Sequence, residues 1–402
     1  MKYACYSVDE KDVAQYTLPD PLLKEDGSYV TTPFEWHNFQ RSYILGMLKK
    51  YEYGEILPRP DEMSFQLLSC RKGALGGKAV RKEVRITCSM LDGRSHSFKI
   101  LIYLPANAAA PVPAFLGLNF KGNQNTTVEK DVIPTGYRFP GVLADDGSGV
   151  QHYRWIPEEI VARNYATVTC CYHDIFPDRA DGIGDSVAKL FFAPAEYDKF
   201  GEKYSVIGAW AWGLSRIMDY LEQDPDIDSS RVAVHGHSRL GKTSLWAGAV
   251  DTRFKMVISN DSGCGGGALH KRKFGENLSQ HFQHHINMGV PSWFVNEAER
   301  FIYKEEELPI DQHELLAMIA PRPLAVGTAT EDRAADPKGE FLACKAASQV
   351  YRLYGSCGLT VDEMPGPDIH CAGDISFHCR TGKHDHTPQD WGYYLDLADK
   401  YL

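Results

Sequence analysis

Residues 234–245 read VHGHSRLGKTSL, a single serine among glycines, with an apolar β-branched run before it and a helix-forming run after it. A strand that turns sharply into a helix over one polar residue needs small neighbours, because the backbone at the turn is strained and adjacent chains pass close by. Gly236 and Gly241 supply them. Ser238 is thereby marked as a nucleophile at the end of a strand, and the first amides of the following helix, above all that of Arg239, face the space beside its hydroxyl. They carry roughly half a positive charge, which suits an oxyanion. Gly241 stands three residues after the serine, so Leu240 occupies the place where a GxSxG turn has its second glycine. A phosphate-binding loop is the rival reading of Lys242, and the expectation is that Lys242 does not serve one.

What surrounds this turn limits what it can belong to. A chain of 402 residues, 43% hydrophobic and 11% aromatic, can bury one large core with appended segments. Lys plus Arg number 43 against 53 Asp plus Glu, and a formal charge of -10 repels phosphate backbones and anionic lipid. Neither nucleic acid nor membrane is an expected partner. No apolar run approaches the roughly 20 residues needed to cross a bilayer. The opening MKYACYSVDEKDVAQY lacks the basic end and apolar stretch of a signal peptide. The expected compartment is the cytoplasm, or the periplasm or exterior if a leader has been removed. The ten cysteines include no CxxC pair, and several sit in strand-like runs such as ATVTCC. Free buried thiols are expected, with no structural zinc and no cofactor.

From about residue 80 onward, short β-branched runs alternate with longer helical patterns, which predicts an α/β domain with a mostly parallel central sheet flanked by helices. EVRITCSM and SFKILIYLP flank LDGR and predict a hairpin opening the sheet; PVPAFLGLNF and YATVTCCYHD are apolar enough for strands buried on both faces. FKMVISND, PRPLAVGTAT and LTVDEMP predict three later strands. YSVIGAWAWGLSRIMDYL and PKGEFLACKAASQVYRLYG predict helices, the second with proline in its first turn. Residues 1–79 read as an extension packed on a main domain of residues 80–402, with one amphipathic helix in WHNFQRSYILGMLKKY. Residues 262–322 read as a long insertion that contributes to the site.

A serine nucleophile needs a base and an acid. In α/β-hydrolase order these follow the serine as an acid at the end of a late strand and a histidine in the loop after the last one. The C-terminal stretch GPDIHCAGDISFHCRTGKHDHTPQDW holds His370, His378, His384 and His386. His384 is preferred because it lies between a glycine turn and a helix start, with Thr387 as cap and Pro388 in the first turn. Metal binding by HDH lacks the three or four converging ligands a first-row ion requires. The acid is Asp332, in TATEDRAADP, or Asp261, in ISNDSG, with Asp332 favoured; Glu331 and Asp336 read as solvated neighbours or helix caps. A second oxyanion amide is expected in NFKGN, near Lys121 and Gly122.

GHSRLGK, NDSGCGGGAL, GTATEDRAADPKGEF and GKHDHTPQDW together resemble the glucuronoyl esterases of carbohydrate esterase family 15, in their bacterial branch. FLGLNFKGN and YEYGEILP fit the same family, so the resemblance runs over about residues 45–400. It implies an α/β-hydrolase three-layer sandwich that hydrolyses esters of (4-O-methyl)glucuronic acid on xylan with lignin alcohols, without a cofactor. It also implies Ser238 as nucleophile, His384 as base, the Arg239 side chain as an oxyanion donor, and Lys242 and Glu276 as ligands of sugar hydroxyls. The acid in that family stands at either of the two candidate positions. The earlier of them is usually glutamate and here is Asp261, and Ala334 stands where tryptophan is frequent. Other carbohydrate esterases, such as those removing acetyl groups from xylan, and a catalytically inactive carbohydrate-binding relative are the alternative readings.

Overall fold

The computed structural model describes residues 5–139, 142–143, 148–179, 181–282 and 292–402. The sheet is organised around its most apolar strand. Every residue of β4 (Val112–Asn119) is buried, because its two faces pack on different cores: Ala114, Leu116 and Leu118 on one side and Phe115 on the other. The first face meets the helices Val206–Leu221 and Arg239–Val250, and the second meets Trp391, Tyr394 and Leu395 of the helix Pro388–Tyr401. This is a three-layer α/β-hydrolase sandwich.

The remaining strands are β1 (Glu62–Ala74), β2 (Ala79–Ser89), β3 (Ser95–Pro105), β7 (Ala166–Cys171), β8 (Ile227–His237), β9 (Met256–Asn260), β10 (Leu324–Ala329), β11 (His370–Cys371) and β12 (Ile375–Arg380). A short hairpin of β5 (Tyr137–Phe139) and β6 (Val142–Leu143) stands apart. The ten-stranded sheet runs β1-β2-β3-β7-β4-β8-β9-β10-β12-β11. From β7 through β12 all neighbours are parallel, while β1 to β3 and the last strand β11 are antiparallel. The parallel strands therefore direct their C-terminal ends to one rim, where ligands of open α/β sheets bind.

Two sequence expectations are corrected here. The sheet starts at β1, upstream of residue 80, inside the stretch read as an extension. β1 is an edge strand with mostly exposed, polar side chains, so it lacks the apolar signature of the central strands. LTVDEMP forms no strand; the place beside β10 is taken by β12, ISFHCR, with Leu324 opposite Ile375. Of that stretch Leu359 is buried, and it leads into a turn at Pro367 and Asp368, closed by the Ile369 amide on the Gly366 carbonyl at 3.3 Å.

The N-terminal helical segment, residues 33–53, buries Trp36, Gln40, Ile44 and Leu48, one residue per turn, against the main domain. Tyr53 at its end stacks on Trp246 with centroids 4.6 Å apart, and the amide of Val295 donates to the Glu52 carbonyl at 2.9 Å. The described parts of the 262–322 stretch are thus tied to the N-terminal segment, further joined by Tyr6 and Ser7 pairing with Gly275. All ten cysteines are unpaired, and seven of them are buried. No helix among the described residues is long and apolar enough to cross a membrane.

Candidate active site

β8 ends at His237, and Ser238 adopts φ 58°, ψ -130° before the helix starts at Arg239. This is a strained conformation for a non-glycine residue. It is fixed by backbone alone: the Ser238 amide donates to the Asn260 carbonyl at 2.9 Å, and the amides of Gly241 and Lys242 donate back to the Ser238 carbonyl at 2.8 and 3.1 Å. Gly236 is obligatory, since a Cβ there would lie 1.9 Å from the Leu240 carbonyl oxygen. That contact explains why position 240 need not be glycine: its backbone passes Gly236 while its side chain is buried in the core.

Residues 236–243, GHSRLGKT, also satisfy the GxxxxGK[ST] spacing of a phosphate-binding loop. The structure rules that use out. The helix already begins at Arg239, so the amides of Gly241 and Lys242 are consumed within its first turn. The Lys242 ammonium gives one of its three hydrogens to the carbonyl of Ser262.

His384 lies in the loop between β12 and the C-terminal helix, which Thr387 caps and Pro388 opens. Its Nδ1 is 2.6 Å from Asp332 Oδ2, which fixes the ring proton on Nδ1 and leaves Nε2 as a lone pair. Its ring packs 4.5 Å from that of His237, the residue before the serine. Asn260 orients this neighbour: its amide nitrogen donates to Tyr394 Oη at 3.1 Å, so its oxygen accepts His237 Nδ1–H at 2.7 Å. Burial, and then the proximity of His384, hold His237 well below the ordinary imidazole range, so it is neutral.

The two candidate acids occupy different environments. Asp332 follows β10 and faces His384. Asp261, just past β9, is buried; its Oδ2 accepts the Asp385 amide at 3.2 Å and Arg380 Nη2 at 3.3 Å. Burial, and then the charge of Asp332, push the Asp261 carboxyl well above the usual carboxylate range despite Arg380. Arg380 itself, at the end of β12, donates through Nη2 to the carbonyls of Lys383 and Asp385, each at 2.6 Å, while Asp390 holds its Nε at 2.9 Å. The guanidinium thus grips the loop on both sides of His384.

Around the serine, Arg239 forms an ion pair with the buried Asp178 and lies 4.5 Å over the ring of Trp293, whose indole N–H donates to the same Asp178 at 3.1 Å. Lys242 and Glu276 are brought together at 3.9 Å. The amide of Glu276 donates to the Ala334 carbonyl at 2.8 Å, so the position that differs from the frequent tryptophan lines the same corner. The expected oxyanion amide at Gly122 is corrected: it donates to Asn119 Oδ1 at 2.8 Å. His370 bonds Ser376 Oγ at 2.7 Å, His378 is held by Asp390 at 2.8 Å, and His386 stacks on Trp391 at 5.1 Å. These three are sheet and core histidines. Glu331 is exposed, whereas Asp336 is buried, caps the helix Pro337–Leu353 at Gly339 and binds Arg272. Sequence reasoning missed Asp178, Trp293, Asn260, Arg380 and Asp390. Only the placement of Arg380 two residues before the glycine turn could have signalled one of them.

The family model described as "Glucuronyl esterase, fungi" matches residues 187–355. A promiscuous CE15 esterase from a marine bacterial metagenome is 41% identical, with TM-score 0.87 over 99% of this chain and 100% of its own. The glucuronoyl esterase from Solibacter usitatus is 38% identical, with TM-score 0.90 over 98% of this chain and 100% of its own. A 4-O-methyl-glucuronoyl methylesterase of Schizophyllum commune is 28% identical over 88% of this chain and 78% of its own.

Proposed function

This chain belongs to carbohydrate esterase family 15 and is a carboxylic ester hydrolase; we propose that it cleaves esters of (4-O-methyl)glucuronic acid through an acyl-enzyme on Ser238. The observation that carries the catalytic assignment is the 2.6 Å contact of His384 Nδ1 with Asp332, on a ring packed beside the strained serine turn. The substrate class is that named for the relatives from Solibacter usitatus and Schizophyllum commune.

His384 Nε2 takes the proton of Ser238 as its oxygen attacks the uronoyl carbonyl, and Asp332 stabilises the imidazolium that forms. The oxyanion is held by the amide of Arg239 at the helix start and by its guanidinium, which Asp178 and Trp293 keep in place. His384 returns the proton to the departing alcohol, and a water then repeats the sequence on the acyl-enzyme, releasing the uronic acid. Lys242 and Glu276, set side by side, bind sugar hydroxyls. No step calls for a metal or organic cofactor.

The test is Ser238→Ala assayed on methyl or benzyl glucuronate. Turnover is expected to fall by about 10⁴-fold or more in a protein that stays folded, and undiminished turnover refutes the assignment. Running acetylated xylan beside the uronate ester decides the acyl group, since an acetyl esterase cleaves the first in preference.

A further inference from the structure

Among the described residues, Asp261, Asp332 and His384 form a group in which three metal-ligating side chains bring one donor atom each to within 4.8 Å of one another. A second observation sets this apart from an acid–base pair with an extra carboxylate nearby. Asp261 is only 2% exposed, and Arg380 and the Asp385 amide both engage its Oδ2, leaving Oδ1 buried without any hydrogen-bond partner. A buried carboxylate oxygen with no donor is costly, and a proton or a cation relieves it. The group is reached from solvent through His384, whose side chain is 44% exposed. Arg380 adds little repulsion to an incoming cation, because Asp390 already neutralises it.

We propose that Asp261, Asp332 and His384 form an inhibitory site for a divalent transition-metal ion of the zinc type. The donor set selects the ion. One imidazole nitrogen and two carboxylate oxygens suit tetrahedral zinc with water in the fourth position, while magnesium and calcium require more oxygens and no nitrogen. The nitrogen facing Asp332 is Nδ1. Coordination there moves the ring proton to Nε2 by exchange with solvent, with no change in the number of protons on the ring. The imidazole then presents an N–H to Ser238 where catalysis requires a lone pair, and it cannot accept the serine proton. Inhibition follows from the tautomer even if the substrate still binds.

This inference rests on His384 being the base, and its test keeps binding separate from turnover. Zinc chloride is titrated into metal-free Ser238→Ala protein, with occupancy read by calorimetry and by competition with a chromophoric chelator. One zinc per chain is expected, with binding weakened by about tenfold or more in Asp261→Asn and in Asp332→Asn. In the wild-type enzyme, ester turnover should fall in proportion to zinc occupancy, recover with EDTA, and remain unaffected by magnesium. Absence of stoichiometric zinc on Ser238→Ala, or affinity unchanged by both carboxamide substitutions, overturns the site. Zinc binding with the expected losses, in a protein that does not cleave glucuronate esters, upholds the site and removes the substrate assignment alone.

Discussion

The turn that carries Ser238 and the loop that carries His384 meet at one rim of the sheet, yet they are held by different means. The serine turn is fixed by backbone: its own helix amides, the Asn260 carbonyl, and a glycine pressed on the Leu240 carbonyl. The histidine loop is fixed by side chains from far along the chain, with Arg380 on its flanking carbonyls, Asp261 on the Asp385 amide and Asp332 on the ring. A backbone device leaves the nucleophile little freedom short of unfolding. Side-chain supports make the proposed base adjustable by single substitutions, so changes in this loop should register in kinetics.

The sharpest way to break that contrast is to exchange the two acids one at a time. Asp332→Asn removes the charge that stabilises the imidazolium, and its amide N–H, offered to Nδ1, holds the ring in the tautomer whose proton is on Nε2. kcat should fall by about 10³–10⁴-fold, with the fold intact by circular dichroism. Asp261→Asn keeps an oxygen for the Asp385 amide, so about a tenfold loss is expected. If the Asp261 variant were the more damaged of the two, the roles would be reversed and Asp332 would be the support.

An effect on rate smaller than that of Asp332→Asn, and a larger one on stability, is expected at Arg380. Arg380→Met leaves the Lys383 and Asp385 carbonyls without their donor and takes from the buried Asp390 and Asp261 the cation paired with both. The loop is displaced while the corner of Lys242 and Glu276, proposed to bind sugar, is untouched. kcat should therefore drop by about 100-fold with KM nearly unchanged, and denaturant titration should show a loss of about 3–5 kcal/mol. A rise in KM with kcat preserved would place Arg380 in substrate binding instead.

How much of this was readable in the sequence follows the same division. The strand–serine–helix turn, the helix starts at Ser205, Asp336 and Thr387, and the apolar strands β4 and β7 are local patterns, and each forms as its residues dictate. β1 is missed because an exposed edge strand carries no apolar run. LTVDEMP is mistaken for β12 because strand propensity alone does not say which segment the sheet admits. The Gly122 amide is mistaken for an oxyanion donor because Asn119, three residues earlier, takes it. Asp178 is beyond local reading, and of Arg380 only its place before the glycine turn is local, since each acts on partners brought near by the fold, 119 residues away for Arg380 with Asp261 and 61 for Asp178 with Arg239.

The smallest effect expected is also the one that probes the side-chain supports without touching catalysis. Glu340, on the helix Pro337–Leu353, is fully buried; its Oε1 accepts the Gly263 amide at 2.6 Å, and its Oε2 has no partner. Burial raises its carboxyl from 4.5 to about 8. In that window the folded protein holds a proton the unfolded chain has released, so this group makes stability fall as pH rises from about 4.5 to 8, and level off above. Glu340→Gln keeps an oxygen for Gly263 and has no proton to lose. Its Tm should match wild type near pH 4 and exceed it by a few degrees near pH 9, read by differential scanning fluorimetry across that range. A gap that is constant with pH would mean that Glu340 is already ionised in the folded state, and that the loop after Asp261 is held by charge.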